Sequence, residues 1–531
     1  MRALRISIVG AGIGGLTAAL ALAAAGCEVT VFERAAEPGG KMRRVGVGGA
    51  LLDAGPTVFT MRPVFEEIFA AAGANLADHV GLRPAGMLAR HAWGPGETLD
   101  LFADIDRSTA AIGDFAGAAA ARGYRDFCLR AQRIYAALEA PFIRAARPSP
   151  AGLVRRAGWR GLPGLSRINP FQTMWGALGR DFADPRLRQL FGRYATYCGS
   201  SPFRAPATLM LVAHVEREGV WLVEGGMHRL AAAMAALAAG LGARLRCGAH
   251  VAAITTAQGR ASGVRLASGE HIEADAVIVN ADAAALAGGL FGPEAAAAVP
   301  PLPPGRRSHS AVTWAVLAPT EGFALARHNV FFSADSRAEF AALHHGRLPD
   351  APSVYVCAQD RDEPADASIG QDRDAPGDAA IGPERLLCLV NAPATGDTRP
   401  LTETEIDRCT ERSFAHLEQC GLTVHRRPEM VVTTTPAGFE RLYPGTGGAL
   451  YGAAVHGALA TFRRPGARSR LPGLYLAGGS THPGAGVPMA ALSGRLAAAS
   501  VLEDGASTAT SRPGAMPGGM STRSATTEPT G

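Results

Sequence analysis

The run Gly10-Ala11-Gly12-Ile13-Gly14-Gly15 is spaced to hold an anion. In such a run Gly10 makes a tight turn and Gly12 lets the backbone approach a pyrophosphate. Gly15 lets the helix that opens near Gly14 pack on the preceding strand, with its N-terminal N–H groups facing the charge. Glu33 then ends a second β-branched run, where a carboxylate accepts from both ribose hydroxyls of a dinucleotide and repels the extra phosphate of NADP. A second glycine pair follows, Gly39-Gly40, with Lys41, the single lysine of the chain, and then Asp53-Ala54-Gly55-Pro56-Thr57. A plain NAD site has no need of these residues. An extended FAD, bridging from the ribose back across a sheet, needs another close backbone approach and a cation. Gly40, Lys41, Pro56 and Thr57 therefore join Gly10, Gly12, Gly14, Gly15 and Glu33 as the FAD-binding set.

These residues need a strand, a helix and a strand behind them. Ile6 to Val9 supply a buried strand, an apolar helix runs to Gly26, which suits a left-handed cap, and Glu28 to Phe32 form the second strand. The stretch between Arg5 and Glu28 carries no charge and approaches the roughly 20 residues of a membrane span. The glycines and the β-branched run before them favour strand, turn and helix instead. A second block, Glu224-Gly225-Gly226-Met227-His228, opens an Ala-rich helix to Gly242. Strands at Ala243–Cys247 and Val251–Ile254 follow, then a hairpin about Gly269 and a buried run Ala276–Val279 ending at Asn280-Ala281-Asp282. Val251 is placed at the cofactor. A third block reads as a parallel strand Leu474–Ala477, a turn at Gly478-Gly479 and a small-residue helix opening at Val487. A helix N-terminus at Gly479 and Val487 can stabilise the negative charge that builds on a reduced flavin.

Bulk properties bound the rest. The chain has 531 residues and a net charge of +5, without a dense basic tract, which excludes nucleic acid as a first reading. Its eight cysteines are scattered, with no Cys-x-x-Cys pair and no Cys/His cluster at metal-ligand spacing, so free thiols in a reducing cytoplasm and no metal are expected. Neither a secretory signal nor a spanning helix is expected. The expected fold is α/β: a Rossmann-like FAD-binding domain in separate parts, interleaved with a mixed α+β substrate domain. The FAD-binding parts fall at 1–81, 224–299 and 446–504. A mostly helical, substrate- and membrane-facing lobe is expected at 82–223, and a strand-bearing substrate lobe at 300–445. The tandem "QDRDEPADASIG" and "QDRDAPGDAAIG" within 359–382 reads as a solvated loop expansion, and 505–531 has the composition of a disordered tail.

With these blocks in hand, the sequence resembles the carotenoid desaturase branch of the FAD-dependent amine oxidase-like superfamily over nearly all of its ordered length. The resemblance rests on the N-terminal glycine block with Glu33 and Gly39-Gly40-Lys41, on "EGGMHRLAAAMAALAAGLGARL", and on "LYLAGGSTHPGAGVPMA". Thr481-His482-Pro483-Gly484-Ala485-Gly486 is its most specific part, and Gly479 stands where amine oxidases usually carry an acidic residue. The stretches "LLDAGPTVFTMRPVFEEIFAAAG", "LARHAWGPGETLDLFAD" and "LFGRYATYCGSSPFRAPATL" are most similar to the members that act on acyclic 1-hydroxycarotenoids. The resemblance implies FAD, a long hydrophobic carotenoid, and loss of two hydrogens from C3 and C4 in the spheroidene or spirilloxanthin pathway. Quinone or oxygen would take the electrons. Phytoene-type desaturation, amine oxidation and non-enzymatic prenyl-lipid binding remain open from the residues alone.

Three groups of residues are candidates for the remaining chemistry. His482, beside the flavin-proximal turn, is the candidate proton acceptor, with a structural hydrogen bond to that turn as the other reading. Arg193, Tyr194, Tyr197 and His214 are candidates for the one polar contact to the substrate hydroxyl in an otherwise apolar tunnel, with ordinary core packing as the other reading. From Ala140 to Arg180 there is no acidic residue but seven arginines interleaved with aromatic and aliphatic side chains. Such a segment suits the headgroups of an anionic leaflet, and a solvated arginine face is its alternative. The protein is therefore expected in the cytoplasm, peripherally bound to lipid of the inner membrane.

Overall fold

The computed structural model describes residues 2–146, 149–152, 155, 171–361 and 382–510. Most of the basic segment, the polar duplication from residue 362 to 381 and residues 511–531 lie outside the described residues.

A five-stranded parallel sheet forms the base of the site, in the order Arg244–Arg246, Glu28–Phe32, Arg5–Val9, Ala276–Val279, Leu474–Leu476. Parallel strands are covered on both faces, and these read accordingly as near-continuous apolar runs. Ile6, Ile8, Val29 and Val31 face the core shared with helix Ile13–Ala24. Val9, Phe32, Val277 and Val279 face the opposite way, against Ile254, Val264 and Leu266 of a three-stranded antiparallel sheet. The register places Val9 opposite both Phe32 and Val279, and Val279 opposite Leu476. Gly10, Glu33, Asn280 and Ala477 therefore all leave the sheet at one edge. The chain leaves Arg5–Val9 for Glu28–Phe32 on one side and leaves its neighbour Ala276–Val279 towards Leu474–Leu476 on the other, which makes the edge between these two strands the topological switch point where open α/β sheets bind ligands.

A seven-stranded sheet forms the second lobe, in the order Val431–Thr434, Ser310–Ala318, Glu384–Ala392, Val354–Ala358, His328–Phe331, Met87–Gly94, Glu97–Phe102. Its alternation sorts two faces. Trp314, Val356, Cys388 and Val390 pack with Phe414 and Leu417 of helix Glu403–Gln419. Thr313, Tyr355, Leu387 and Leu389 look into a cavity. The mostly helical stretch from residue 82 opens with a hairpin, the strands at 87–94 and 97–102. Glu97, Leu99 and Leu101 alternate as a hairpin arm, and Arg90 pairs with Asp100 at 2.7 Å across it. The helices begin at Ile105, with Ile105–Ala116, Ala118–Leu138, Met174–Asp181 and Pro185–Gly192 enclosing a core around Phe127, Phe182 and Phe191.

The last helix, Val487–Thr510, passes Gly505, where a tail was expected. Its end is pinned to the sheet: Tyr475 donates to Asp504 at 2.8 Å, and Arg468 reaches Asp504 at 3.0 Å and Glu503 at 2.7 Å. Gln359, read as the start of a solvated loop, is buried, and its amide bonds both backbone groups of Asp53, at 3.0 and 2.8 Å. Among the described residues, no helix is long and apolar enough to cross a membrane.

Candidate active site

The turn after the first strand is built as the spacing requires. Gly10 takes φ 97° and donates to the Phe32 carbonyl at 2.7 Å, which ties the turn to the second strand. Gly12 precedes helix Ile13–Ala24 and no side chain caps that helix, so its first N–H groups are left facing the sheet edge. The second glycine pair closes on the first: Gly39 donates to the Ala11 carbonyl at 2.9 Å, and a Cβ on Gly40 would stand 3.1 Å from the Cα of Gly12. Glu33 holds the same loop, accepting from Ala11 N–H at 2.8 Å and from Ala35 N–H at 2.9 Å. Each carboxylate oxygen keeps a lone pair for a ribose hydroxyl.

Asn280 completes this cradle and was missed in the sequence, where it only ended a strand. Its Nδ2 donates to the Gly10 carbonyl at 3.2 Å, and Cβ atoms on Gly12 and Gly14 would stand 2.9 and 2.7 Å from its amide. Only its place directly after a buried parallel strand could have flagged it.

Lys41 is mostly buried. Its Nζ donates to the Leu450 carbonyl and lies 5.3 Å from the centre of the Tyr443 ring. Burial lowers its pKa, Asp282 opposes that shift and Arg464 adds to it. Arg464, also buried, donates to the carbonyls of Gly479, Tyr451 and Ala453 at 2.9, 3.0 and 2.7 Å, and so braces the turn that precedes the last helix.

One cavity of about 1020 Å³ continues from this cradle into the second lobe. Gly10, Gly12, Gly14, Glu33, Gly40, Lys41, Pro56, Thr57, Val251, Gly479 and Val487 all line it. Gly15 does not; a Cβ there would stand 2.2 Å from the Gly10 carbonyl oxygen, so its role is to let helix and turn touch. The cradle fits FAD: a glycine turn without room for side chains, an uncapped helix N-terminus for phosphate, a fixed carboxylate for ribose, and a buried cation.

Beyond the cradle the walls are Leu138, Phe142, Ile143, Val330, Phe332 and their neighbours, interrupted by two polar clusters. In the first, Tyr194 and Tyr197 both donate to Glu216, Tyr197 at 3.0 Å, while Arg193 donates to the Tyr197 hydroxyl at 2.7 Å. Burial works against the Arg193 charge, but Tyr197, Glu216 and Tyr194 hold its pKa above the ordinary value. In the second, the Tyr355 hydroxyl lies 2.6 Å from Thr57 Oγ1 and 2.8 Å from His328 Nδ1. Glu216, His328 and Tyr355 were not picked out in the sequence. Glu216 sits in a short helix, where a carboxylate reads as surface, and His328 and Tyr355 face inward from buried strands.

Three expected residues lie elsewhere. Tyr194 is buried with its ring edge-on to Tyr197 at 5.6 Å and does not line the cavity. His214 does not line the cavity: its ring packs 4.9 Å from Tyr135 and its Nδ1 lies 3.7 Å from Glu218, because the helical period puts it on another face from Glu216. His482 is buried behind Phe142, whose ring meets it edge-on at 5.1 Å, and its ring faces the backbone of Ala145 and Phe142. Burial pulls its pKa down to about 4. Pro483 and Gly484, not His482, line the cavity.

A pyrophosphate cradle at the switch point of a parallel sheet, opening into a long apolar cavity, defines an FAD-dependent oxidoreductase. The chain belongs to the family of flavin containing amine oxidoreductases, whose profile matches residues 13–502. It is 55% identical over 529 residues to hydroxyneurosporene desaturase of Rubrivivax gelatinosus, covering 99% of this chain and 98% of that one. The enzyme of the same name from Cereibacter sphaeroides is 46% identical, over 95% of this chain and 98% of the relative. Among solved structures, putrescine oxidase bound to putrescine shares the fold, with a TM-score of 0.54, 17% identity, and 94% and 99% of the two chains covered.

Proposed function

We propose that this FAD-dependent enzyme removes two hydrogens from C3 and C4 of an acyclic 1-hydroxycarotenoid. What supports the reading is the single cavity that joins the phosphate cradle to a long apolar tunnel, in a chain similar end to end to hydroxyneurosporene desaturases. FAD, when bound, accepts one hydrogen with its electron pair, and the second hydrogen leaves as a proton. The protein's share is orientation and exclusion of water. The sheet face carrying Tyr355 and Leu387 forms one side of the tunnel, Phe142 and Ile143 another, and a polyene lying between them is held next to Thr57.

The same reading places the enzyme at the cytoplasmic face of the inner membrane, where such a substrate dissolves, with quinone or oxygen taking the electrons. Arg144, of that basic segment, is paired with Glu67 at 3.0 Å and with Glu139 at 3.3 Å. Neutralising Arg155, Arg156, Arg160 and Arg167 together should lower co-sedimentation with anionic liposomes, and unchanged binding would remove the membrane role of that segment.

The test of the reaction is anaerobic incubation of the FAD-loaded enzyme with 1-hydroxyneurosporene in liposomes, following flavin bleaching and product mass together, with neurosporene as the paired substrate. Bleaching with loss of two hydrogens from the hydroxylated carotenoid is expected. Bleaching only with phytoene or with amines would replace this reading with phytoene-type desaturation or amine oxidation.

A further inference from the structure

The tunnel contains a buried ring nitrogen that no described residue satisfies. His328 is 3% exposed and lines the cavity, its Nδ1 is engaged by the Tyr355 hydroxyl at 2.8 Å, and its Nε2 has no partner. Unpaired buried polar atoms are uncommon because each forfeits its hydration, so one that faces a ligand cavity points to a ligand group. The cavity is also lined by Arg193, from the helical lobe, whose Nη1 is taken by Tyr197 while Nε and Nη2 have no hydrogen-bond partner among the described residues.

The chemistry of the pair matches a neutral hydroxyl. Burial, with the charges of Arg327 and Arg193, brings the His328 pKa down to about 3, so the ring is neutral and carries one donor and one acceptor nitrogen. If Nδ1 accepts from Tyr355, Nε2 donates; if Nδ1 donates, Nε2 accepts. A hydroxyl satisfies either arrangement. A cationic amine would be repelled by Arg193, and a carboxylate would leave the acceptor tautomer unmatched.

Position separates this nitrogen from Glu339, another buried polar group of the tunnel. Glu339, which also lines the cavity, accepts from Ser353 N–H and Oγ at 3.2 and 2.8 Å. In a 1-hydroxycarotenoid the oxygen on C1 lies only about 3–5 Å from the C3–C4 bond, from carbon–carbon bonds of about 1.5 Å. The group that reads it must therefore adjoin the flavin end. His328 is linked to Thr57 through a single hydroxyl, that of Tyr355, at 2.6 and 2.8 Å. Glu339 is reached only through Ser353, two residues further along the same strand face, or about 7 Å.

We propose that His328 Nε2, beside the Arg193 guanidinium, is the specificity determinant that receives the tertiary hydroxyl of the substrate. The proposal rests on the function above and adds the residue that distinguishes a hydroxylated from a non-hydroxylated end. An alkene end entering the same place leaves Nε2 unpaired, which sets a discrimination of about 10- to 100-fold.

Equilibrium binding of 1-hydroxyneurosporene and neurosporene to the FAD-loaded enzyme in detergent micelles, read from the carotenoid absorbance shift, tests this apart from turnover. The native enzyme should bind the hydroxylated carotenoid about 10- to 100-fold more tightly. His328→Phe should bring the two affinities together by weakening only the hydroxylated one, and His328→Gln, which restores a donor and an acceptor, should recover part of the preference. Retained FAD and an unchanged neurosporene affinity report that the variants are folded. A preference that survives in His328→Phe, a loss equal for both carotenoids, or a loss caused instead by Glu339→Gln overturns the proposal. If binding behaves as expected but neither carotenoid is desaturated, the proposed reaction falls and the hydroxyl site stands.

Discussion

Asp53 and His228 stand 3.0 Å apart, Oδ1 to Nδ1, and join the strand that leads into Gly55-Pro56-Thr57 to helix His228–Gly240. The other carboxylate oxygen accepts from Met227 N–H at 2.6 Å, so Asp53 caps from outside a helix whose own cap residue offers no side-chain acceptor. Gly226, at φ 98°, makes room: a Cβ there would stand 2.3 Å from Asp53 Oδ2. Two of the blocks seen separately in the sequence thus meet on one carboxylate. Asp53→Ala should lower stability by about 1–2 kcal/mol, the cost of a lost helix cap. Flavin release during a thermal ramp should occur at a lower temperature, and an unchanged midpoint would rule out the link.

The glycine turn tolerates no methyl group at its tightest points. A Cβ on Gly15 would meet the Gly10 carbonyl oxygen at 2.2 Å, and one on Gly494 would meet the Gly14 carbonyl oxygen at 2.1 Å. Both obstacles are backbone, which cannot swing aside, so overpacking should cost about 1–3 kcal/mol or more. Gly15→Ala and Gly494→Ala are expected to purify with little or no bound FAD, read as absorbance near the flavin band. Gly46→Ala, where a Cβ meets nothing within 4 Å, should stay fully loaded.

The cofactor half of the site was legible because phosphate binding constrains backbone. Gly10, Gly12 and Gly14 are recognisable by spacing alone, and the strands around them are long apolar runs. Asn280 escaped because one amide hydrogen bond leaves no periodic trace. The substrate half was illegible for a different reason. His328, Tyr355 and Glu216 lie far apart in the chain and are brought together only by the pairing of His328–Phe331 with Val354–Ala358 and by the fold of the helical lobe. Tyr194 and Tyr197 were visible as polar aromatics, yet their partner Glu216 was not, since a carboxylate on a short helix reads as surface until its burial is known.

Burial of neutral histidines makes the fold sensitive to acid. Desolvation lowers His309 and His328 to about 3 and His456 and His482 to about 4, from 6.5. Between those values and 6.5 the unfolded chain binds more protons than the folded one, so stability is lost as pH falls below 6.5, by up to about 1.4 kcal/mol per pH unit for each ring. Glu339 and Asp181 have the opposite sign: burial raises them from 4.5 to about 7 and from 3.8 to about 6, so they add stability as pH falls through those windows. Four rings outweigh two carboxyls. The thermal midpoint should drop between pH 7 and pH 5, and His456→Gln should flatten the slope. A midpoint that holds or rises on acidification contradicts this account.

His482 separates packing from proton transfer most directly. Its ring is 2% exposed, stands edge-on to Phe142 at 5.1 Å and faces the backbone of Ala145 and Phe142, so it fills volume beneath the cavity wall without reaching substrate. His482→Leu, which keeps most of that volume, should therefore retain turnover within about threefold, whereas loss of a general base typically lowers it about 100-fold or more. His482→Ala should leave a void behind Phe142 and cost about 2–4 kcal/mol, as other large-to-small changes in cores do. Steady-state desaturation and thermal midpoints of the two variants decide the matter together. Full stability with lost turnover in His482→Leu would make this residue the proton acceptor after all, and would require Phe142 to move aside when substrate binds.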